Sequence, residues 1–277
     1  MSYQHFHTRA NEPLRTIHCA TTPRHLAGRG DPRHITQALR AAGWKNHSAP
    51  DYPHVILASP DYRYHLVLEP EPATYKAWWR IASEAPGQRW YAEFGGETPV
   101  EVLAGFTDAL ILPVPQQEPD VWQPLVAAGW SYGRDKRGNE EAVAPDGIMS
   151  VSRFTPLTSD MFTWKAEAAE PTGLGGHRRI WHAYIGDETP RHLIAGFIDA
   201  LASPEPVQRG RYDVPRGHLV TQEQHGPQGE QLLAAHEARL KAARATARKT
   251  RRAAAPQTHP SPATAASASA KAAAHRR

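Results

Sequence analysis

A single cysteine, Cys19, stands in 277 residues, so no intrachain disulfide can form. No apolar run approaches the roughly 20 residues needed to cross a bilayer. The opening residues, Met1 to Ala10, offer neither an apolar h-region nor a small-residue cleavage site, which argues against export by a signal peptide. These absences predict a soluble, cytoplasmic chain with no membrane partner. Catalytic signatures are missing as well: there is no GxSxG elbow, no Walker A loop, no HExxH and no paired CxxC. Sixteen histidines are present, but His5, His7 and His18 lie with Cys19 in an irregular opening stretch. His54, His65, His177, His182 and His192 have no ligand spacing. No cofactor or metal is expected, and no residue is nominated as catalytic.

Carboxylates are scarce at one end of the chain. From Glu230 to Arg277 there are ten Lys/Arg and two Glu, a net of +8, whereas the remainder holds 22 Lys/Arg against 26 Asp/Glu, a net of −4. The overall charge of +4 therefore belongs to the tail.

The strongest positive signal is a repeat. Glu97-Thr-Pro-Val-Glu-Val-Leu-Ala-Gly-Phe-Thr-Asp-Ala-Leu110 returns as Glu188-Thr-Pro-Arg-His-Leu-Ile-Ala-Gly-Phe-Ile-Asp-Ala-Leu201, identical at nine of fourteen positions. Each copy predicts a helix, with Thr98 as N-cap, Pro99 as first helical residue and Glu101 completing a capping box. In the second copy His192 replaces that glutamate. Upstream, Asp31-Pro32 predicts another helix start, and Gly43-Trp44 its stop, with the tryptophan folding back on the last turn. Asp120 to Trp130 repeats this element, Pro124 falling in its first turn.

Between these helices the apolar period changes from about 3.6 to 2. His54–Ser59, Arg63–Glu69, Tyr75–Ala82 and Arg89–Phe94 read as strands joined by short turns, hence antiparallel. Ser59-Pro60-Asp61-Tyr62 suits a tight turn, and Ala144-Pro-Asp-Gly147 stands at the same point of the second copy. The predicted fold class is α+β: two tandem copies of a unit comprising a helix, about four antiparallel strands and a helix. Expected boundaries are an irregular leader over 1–30, units over 31–115 and 118–203 each with its own core, a linker over 204–228, and a basic helix with a low-complexity tail over 229–277. The helix spans Gln228 to about Ala255, is stopped by Pro256, and is followed by a Pro/Ser/Thr/Ala-rich stretch expected to be disordered.

The turn spells SPDY. With Trp78-Trp79, Trp90-Tyr91-Ala-Glu-Phe94 and the Thr-Pro helix, it resembles the actinobacterial SPDY family, a domain of unknown function often found as two copies per chain. The resemblance covers roughly residues 23 to 207, implies a filamentous actinobacterial source, and implies no chemistry. The second copy departs from the motif at Ser59 and Tyr62.

Two surfaces are candidates for function. If Trp79, Trp90, Ala92 and Phe94 face the core, then Arg63, Lys76, Trp78, Arg80 and Tyr91 project from the opposite sheet face. Interleaved aromatics and cations of this kind suit a single-stranded nucleic acid. The alternative is that Trp78 and Tyr91 pack against the other unit or a linker. Ser59, Pro60, Asp61 and Tyr62 complete this candidate surface for an unidentified protein partner. The second candidate comprises Arg239, Lys241, Arg244, Arg248, Lys249, Arg251 and Arg252, whose spacing spreads them around a helix, a distribution suited to a phosphate backbone in non-specific nucleic-acid binding. A solubilising tail is the alternative. The sequence favours a non-enzymatic interaction module for a macromolecular partner, with a nucleic-acid-associated protein as one alternative and an enzyme with a pocket between the two units as the other.

Overall fold

Both predicted glycine stops are formed, and they deliver the chain into the sheet. Gly43 and Gly129 adopt φ of 101° and 82°, in the left-handed region that glycine occupies without a Cβ clash. Trp44 N–H donates to Leu39 O and Gly43 N–H to Arg40 O; Trp130 and Gly129 repeat this with Leu125 and Val126. This is the Schellman pattern, and it turns both tryptophans back into the core.

The computed structural model describes residues 17–71, 73, 76–155, 162–173, 175–223 and 229–254. The first sixteen residues with His5 and His7, Tyr75 at the start of the third predicted strand, and the tail beyond Ala254 lie outside the described residues. The chain begins with strand β1 (His18–Thr22) and a 3-10 turn (Arg24–Leu26). Helix α1 (Arg33–Ala41) leads to strands β2 (Lys45–Asn46), β3 (Val55–Ala58), β4 (Tyr64–Leu68), β5 (Ala77–Ser83) and β6 (Trp90–Gly95), and then to helix α2 (Val100–Ala109). The succession returns with α3 (Gln123–Ala127), β7 (Ser131–Arg134), β8 (Glu140–Val143), β9 (Met149–Arg153), β10 (Trp164–Pro171), β11 (His177–Ile185) and α4 (Arg191–Ala202). Strands β12 (Val207–Gly210) and β13 (Thr221–Glu223) precede the long helix α5 (Gly229–Ala254). The fold is α+β with antiparallel sheets. Each run has five strands where four were expected, because β2 and β7 are too short or too polar to show a period.

All ten of these strands form one sheet, in the order β2-β3-β4-β5-β6-β11-β10-β9-β8-β7. The two runs join where β6 pairs with β11, Ala183 opposite Phe94, Tyr184 opposite Glu93 and Ile185 opposite Ala92. Above this seam α2 crosses α4 at Gly105 and Gly196, where a Cβ on Gly196 would stand 2.5 Å from Gly105 O. Phe94 lies beneath the crossing, its ring 5.5 Å from Phe106 and 5.6 Å from Phe197. Consequently the two separate cores expected from the sequence are one continuous apolar cluster, from Leu26 and Ile35 through Trp79, Phe94 and Phe197 to Trp164.

The expected leader and linker are not irregular throughout. β1 pairs with β12 on one side and β13 on the other, forming a second, three-stranded sheet. From β12, Arg209 reaches back to α2. Its guanidinium donates to Glu101 Oε1 at 2.7 Å and Oε2 at 2.6 Å, and also to Ala27 O and Gly28 O. The predicted capping box is therefore not made. Glu101 is claimed by Arg209, the Thr98 hydroxyl donates to His182 O at 3.5 Å, and Pro99 is extended at ψ 129°, so Val100 is the first helical residue. Its N–H donates to Arg29 O. At α1, by contrast, Asp31 Oδ1 accepts from Arg33 N–H at 2.9 Å, as a cap residue should.

Candidate functional site

The Ser59–Tyr62 turn is built by its own side chains. Ser59 Oγ donates to Asp61 Oδ1 at 2.7 Å and accepts from Tyr64 N–H at 3.0 Å, while Tyr62 N–H returns to Ser59 O. Ser59 is thereby buried as a structural element. Tyr62 is the anomaly. It adopts φ 59°, the sole positive φ at a non-glycine among the described residues, at the position where the second turn has Gly147 at φ 69°. A side chain in this left-handed region costs roughly 1 kcal/mol or more relative to glycine. Burial does not offset that cost, since Tyr62 is 51% exposed. Its ring instead carries Lys45 Nζ at 3.8 Å from the centroid, with the His47 ring 6.1 Å away.

Beside the turn is an open concavity of about 630 Å³, lined by Asp61, Tyr62, Arg63, His65 and, from the β5–β6 hairpin, Glu84 and Gln88. The second turn is spent otherwise: Asp146 Oδ2 lies 2.7 Å from Nε2 of the buried His25, and that contact holds its carboxyl below the usual range even though burial opposes it. The repeated aspartates thus have different neighbours. Lys45 and His47 escaped the sequence reading; the glycine at 147 was the signal that position 62 is left-handed.

The sheet-face candidates separate. Trp78 does not project outward but is 3% exposed. An irregularity in the β5–β6 register between Ala77 and Trp79 breaks the alternation, so adjacent tryptophans both turn inward. The Trp78 indole lies on Gly96, where a Cβ would come within 2.6 Å of it, and the Arg29 guanidinium sits 5.1 Å from its ring. Tyr91 stays on the open face against Phe162, its hydroxyl donating to Glu93 Oε2 at 3.3 Å; burial and that carboxylate push it up to about 12. The cations of this face are matched by carboxylates: Lys76 by Glu71 at 2.6 Å, Arg80 by Glu69 at 2.6 Å, Lys165 and Arg179 by Glu167. Arg63 pairs with Asp61 at 3.3 Å.

Helix α5 presents the opposite situation. It lies along α1: Arg239 clamps Asp108 with both terminal nitrogens at 2.9 and 2.8 Å, and its Nε donates to His34 O. His236 Nε2 is 2.7 Å from Gln37 Oε1, Ala247 is buried, and the Thr250 hydroxyl donates to Ile111 O. Arg239 is therefore a docking residue and leaves the set of candidate contacts. Docking also orders the rest. Lys241, Arg244, Arg248, Lys249, Arg251 and Arg252 are exposed, and among the described residues none of them is in an ion pair. Lys241, Arg244, Arg248 and Arg252 fall within about 80° of one another at 100° per residue, a stripe about 16 Å long. The expected scatter around the helix is thus corrected to one outward cationic face. Arg251 adjoins it at the end of α1, where a Cβ on Gly43 would lie 3.1 Å from its Nη1 and 3.7 Å from Pro60 Cγ.

At the seam, His182 is 3% exposed with its ring against Gly95, and burial, then Arg179, push its pKa down to about 4. It is neutral in the fold, whereas an unfolded histidine titrates near 6.5. The unfolded chain binds the extra proton, so stability is full above about pH 6.5 and falls as pH drops towards 4. Between pH 7 and 5 urea unfolding should lose about 2 kcal/mol on this account, and His182→Gln should remove that increment. Equal pH slopes for the two proteins would contradict the assignment. Among the described residues no group of three or more His, Cys, Asp or Glu side chains could hold a metal ion, and no helix is long and apolar enough to cross a membrane.

Residues 58–116 and 143–207 match the family SPDY, Domain of unknown function (DUF317). Each match opens in the strand leading into one of the two turns and runs past the Thr-Pro helix. No curated protein and no solved structure matches the chain.

Proposed function

We propose that this protein, a chain with two SPDY domains, is a non-enzymatic binding module whose partner is a nucleic acid, contacted non-specifically through the outward face of α5. One contrast carries the reading: the sheet-face cations Lys76, Arg80, Lys165 and Arg179 are each ion-paired with a carboxylate, the last two sharing Glu167, while the cations of the α5 stripe have none among the described residues. A surface already ion-paired gains little by releasing counterions from phosphates, whereas an unpaired stripe gains in proportion to the contacts made. The enzyme alternative needs a pocket between the two runs of strands. There the Trp78 and His182 rings pack on Gly96 and Gly95, and α2 meets α4 at glycine, which leaves little room for a substrate. The two runs act as copies of one unit, and the cytoplasmic, actinobacterial setting expected from the sequence belongs to this proposal.

The test is salt dependence. Binding of the full chain to DNA or RNA, with Kd about 10⁻⁴ to 10⁻⁶ M at physiological salt, should weaken steeply as salt rises. Replacing Lys241, Arg244, Arg248 and Arg252 with glutamine should flatten the plot of log K against log salt by roughly 3, at about 0.7 to 0.9 per lost contact. These side chains are exposed, so the fold should persist with little change in stability. An unchanged slope refutes the assignment.

A further inference from the structure

We infer that the Tyr62 turn is a stacking site for an unpaired nucleobase, placed so that one single strand of nucleic acid lies on both this turn and α5, a reading that rests on the polyanion surface proposed above. Three observations converge. Tyr62 presents an exposed aromatic ring from a backbone conformation that the corresponding turn gives to glycine. Lys45 holds the ring through its ammonium, so the platform is fixed before any ligand arrives. The adjoining concavity offers carboxylates at Asp61 and Glu84, an amide at Gln88 and cations or donors at Arg63 and His65. This mixture is poorly suited to phosphate alone, but it can pair with the mixed donor and acceptor edge of a base.

Position ties the turn to the cationic helix. Arg251 of α5 and Pro60 of the turn both lie within 4 Å of the place where a Cβ on Gly43 would stand. A strand whose backbone follows Arg248, Arg251 and Arg252 therefore reaches Tyr62 without leaving the surface. A duplex keeps its bases stacked inside and offers this tyrosine nothing, whereas a single strand offers a π-face at every nucleotide. The site accordingly selects strand state, a property the α5 stripe alone lacks.

The experiment uses the full chain and a labelled oligothymidine of about 16 nucleotides, a length that one such site can cover, beside a mixed-sequence duplex of equal length. Fluorescence anisotropy is read for the wild type, Tyr62→Phe and Tyr62→Gly. The glycine variant takes the residue the second turn already uses, so it should fold with no loss of thermal stability. The expected result is a loss of roughly tenfold or more in single-strand affinity for Tyr62→Gly, retention by Tyr62→Phe, and unchanged duplex binding by both. Equal single-strand binding by all three proteins, or an equal loss on single strand and duplex, overturns the stacking site while the α5 reading stands. Failure of the wild type to bind either oligonucleotide overturns both, and so does displacement by polyglutamate as effective as displacement by unlabelled oligonucleotide.

Discussion

Gly105→Ala is expected to cost at least about 3 kcal/mol, and to prevent folding if the helices cannot separate. A Cβ at this position would fall inside the van der Waals surface of Gly196 O and within 2.6 Å of Ala200 Cβ. The obstacle is backbone, which cannot rotate aside as a side chain can. Relief requires α2 and α4 to move apart, and that opens a void above Phe94, Phe106 and Phe197, where lost contacts add to the strain. Gly196→Ala should behave alike, its Cβ meeting Gly105 O at 2.5 Å. Gly133→Ala is the control, since nothing lies within 4 Å of a Cβ there, and should stay within about 0.5 kcal/mol of wild type. In a chain of this size 3 kcal/mol is about 6 to 12 °C in Tm, which a melting curve resolves. A Gly105→Ala protein melting within about 2 °C of wild type would mean that the helices do not cross there.

Arg209→Met should be nearly as damaging, at about 3 kcal/mol. The Arg209 side chain is 4% exposed and serves five acceptors, the two Glu101 oxygens and the carbonyls of Ala27, Gly28 and Gln208. Burial pushes the Glu101 carboxyl up, but the guanidinium more than reverses this and holds it below the usual range. Removing the cation leaves a largely buried carboxylate and three carbonyls without their donor, which costs far more than the pair contributes net. Arg209→Met combined with Glu101→Leu should therefore recover most of the loss. Chemical denaturation of the four proteins of this cycle tests it, and strict additivity of the two single effects would show that the pair is not coupled.

The parts of this fold visible in the sequence are those whose causes lie within about ten residues. Gly43-Trp44 and Gly129-Trp130 stop their helices because a left-handed residue and a returning tryptophan are local requirements. Trp79, Trp90, Trp164 and Trp181 face the core as their period of 2 predicts. What escaped depends on distant partners. β1 and β12 lie nearly 200 residues apart, and each is too polar to show an apolar period of its own. Glu101 had the spacing of a capping box, yet a buried arginine from β12 takes its carboxylate, and the Thr98 N–H donates to Gly95 O instead. Trp78 was misplaced because one irregularity shifts alternation by a residue and exchanges the two faces.

The candidate site shows the same division. The basic residues of α5 were evident, and the common face of Lys241, Arg244, Arg248 and Arg252 follows from their spacing alone; docking on α1 consumes Arg239 and sets that face outward. Tyr62 was evident as a departure from the second turn. Its meaning needed the backbone angle, Lys45 beneath the ring, and the approach of Arg251 across Gly43.

The seam between β6 and β11 has a bearing on stoichiometry. Its strand pairing and its glycine crossing each match a residue of one run with its counterpart in the other, the self-complementary arrangement through which identical subunits form a closed pair. Assembly of that kind would depend on how much protein the cell contains, and dilution would dissolve it. The tether from Leu110 to Asp120 replaces that dependence with a fixed effective concentration, in the millimolar range for a short connection. A tethered pair is also free to become unequal. Only the first run carries the strained tyrosine, and α5 packs against that run, so the binding surface proposed above would occur once per molecule where a symmetric pair would have it twice.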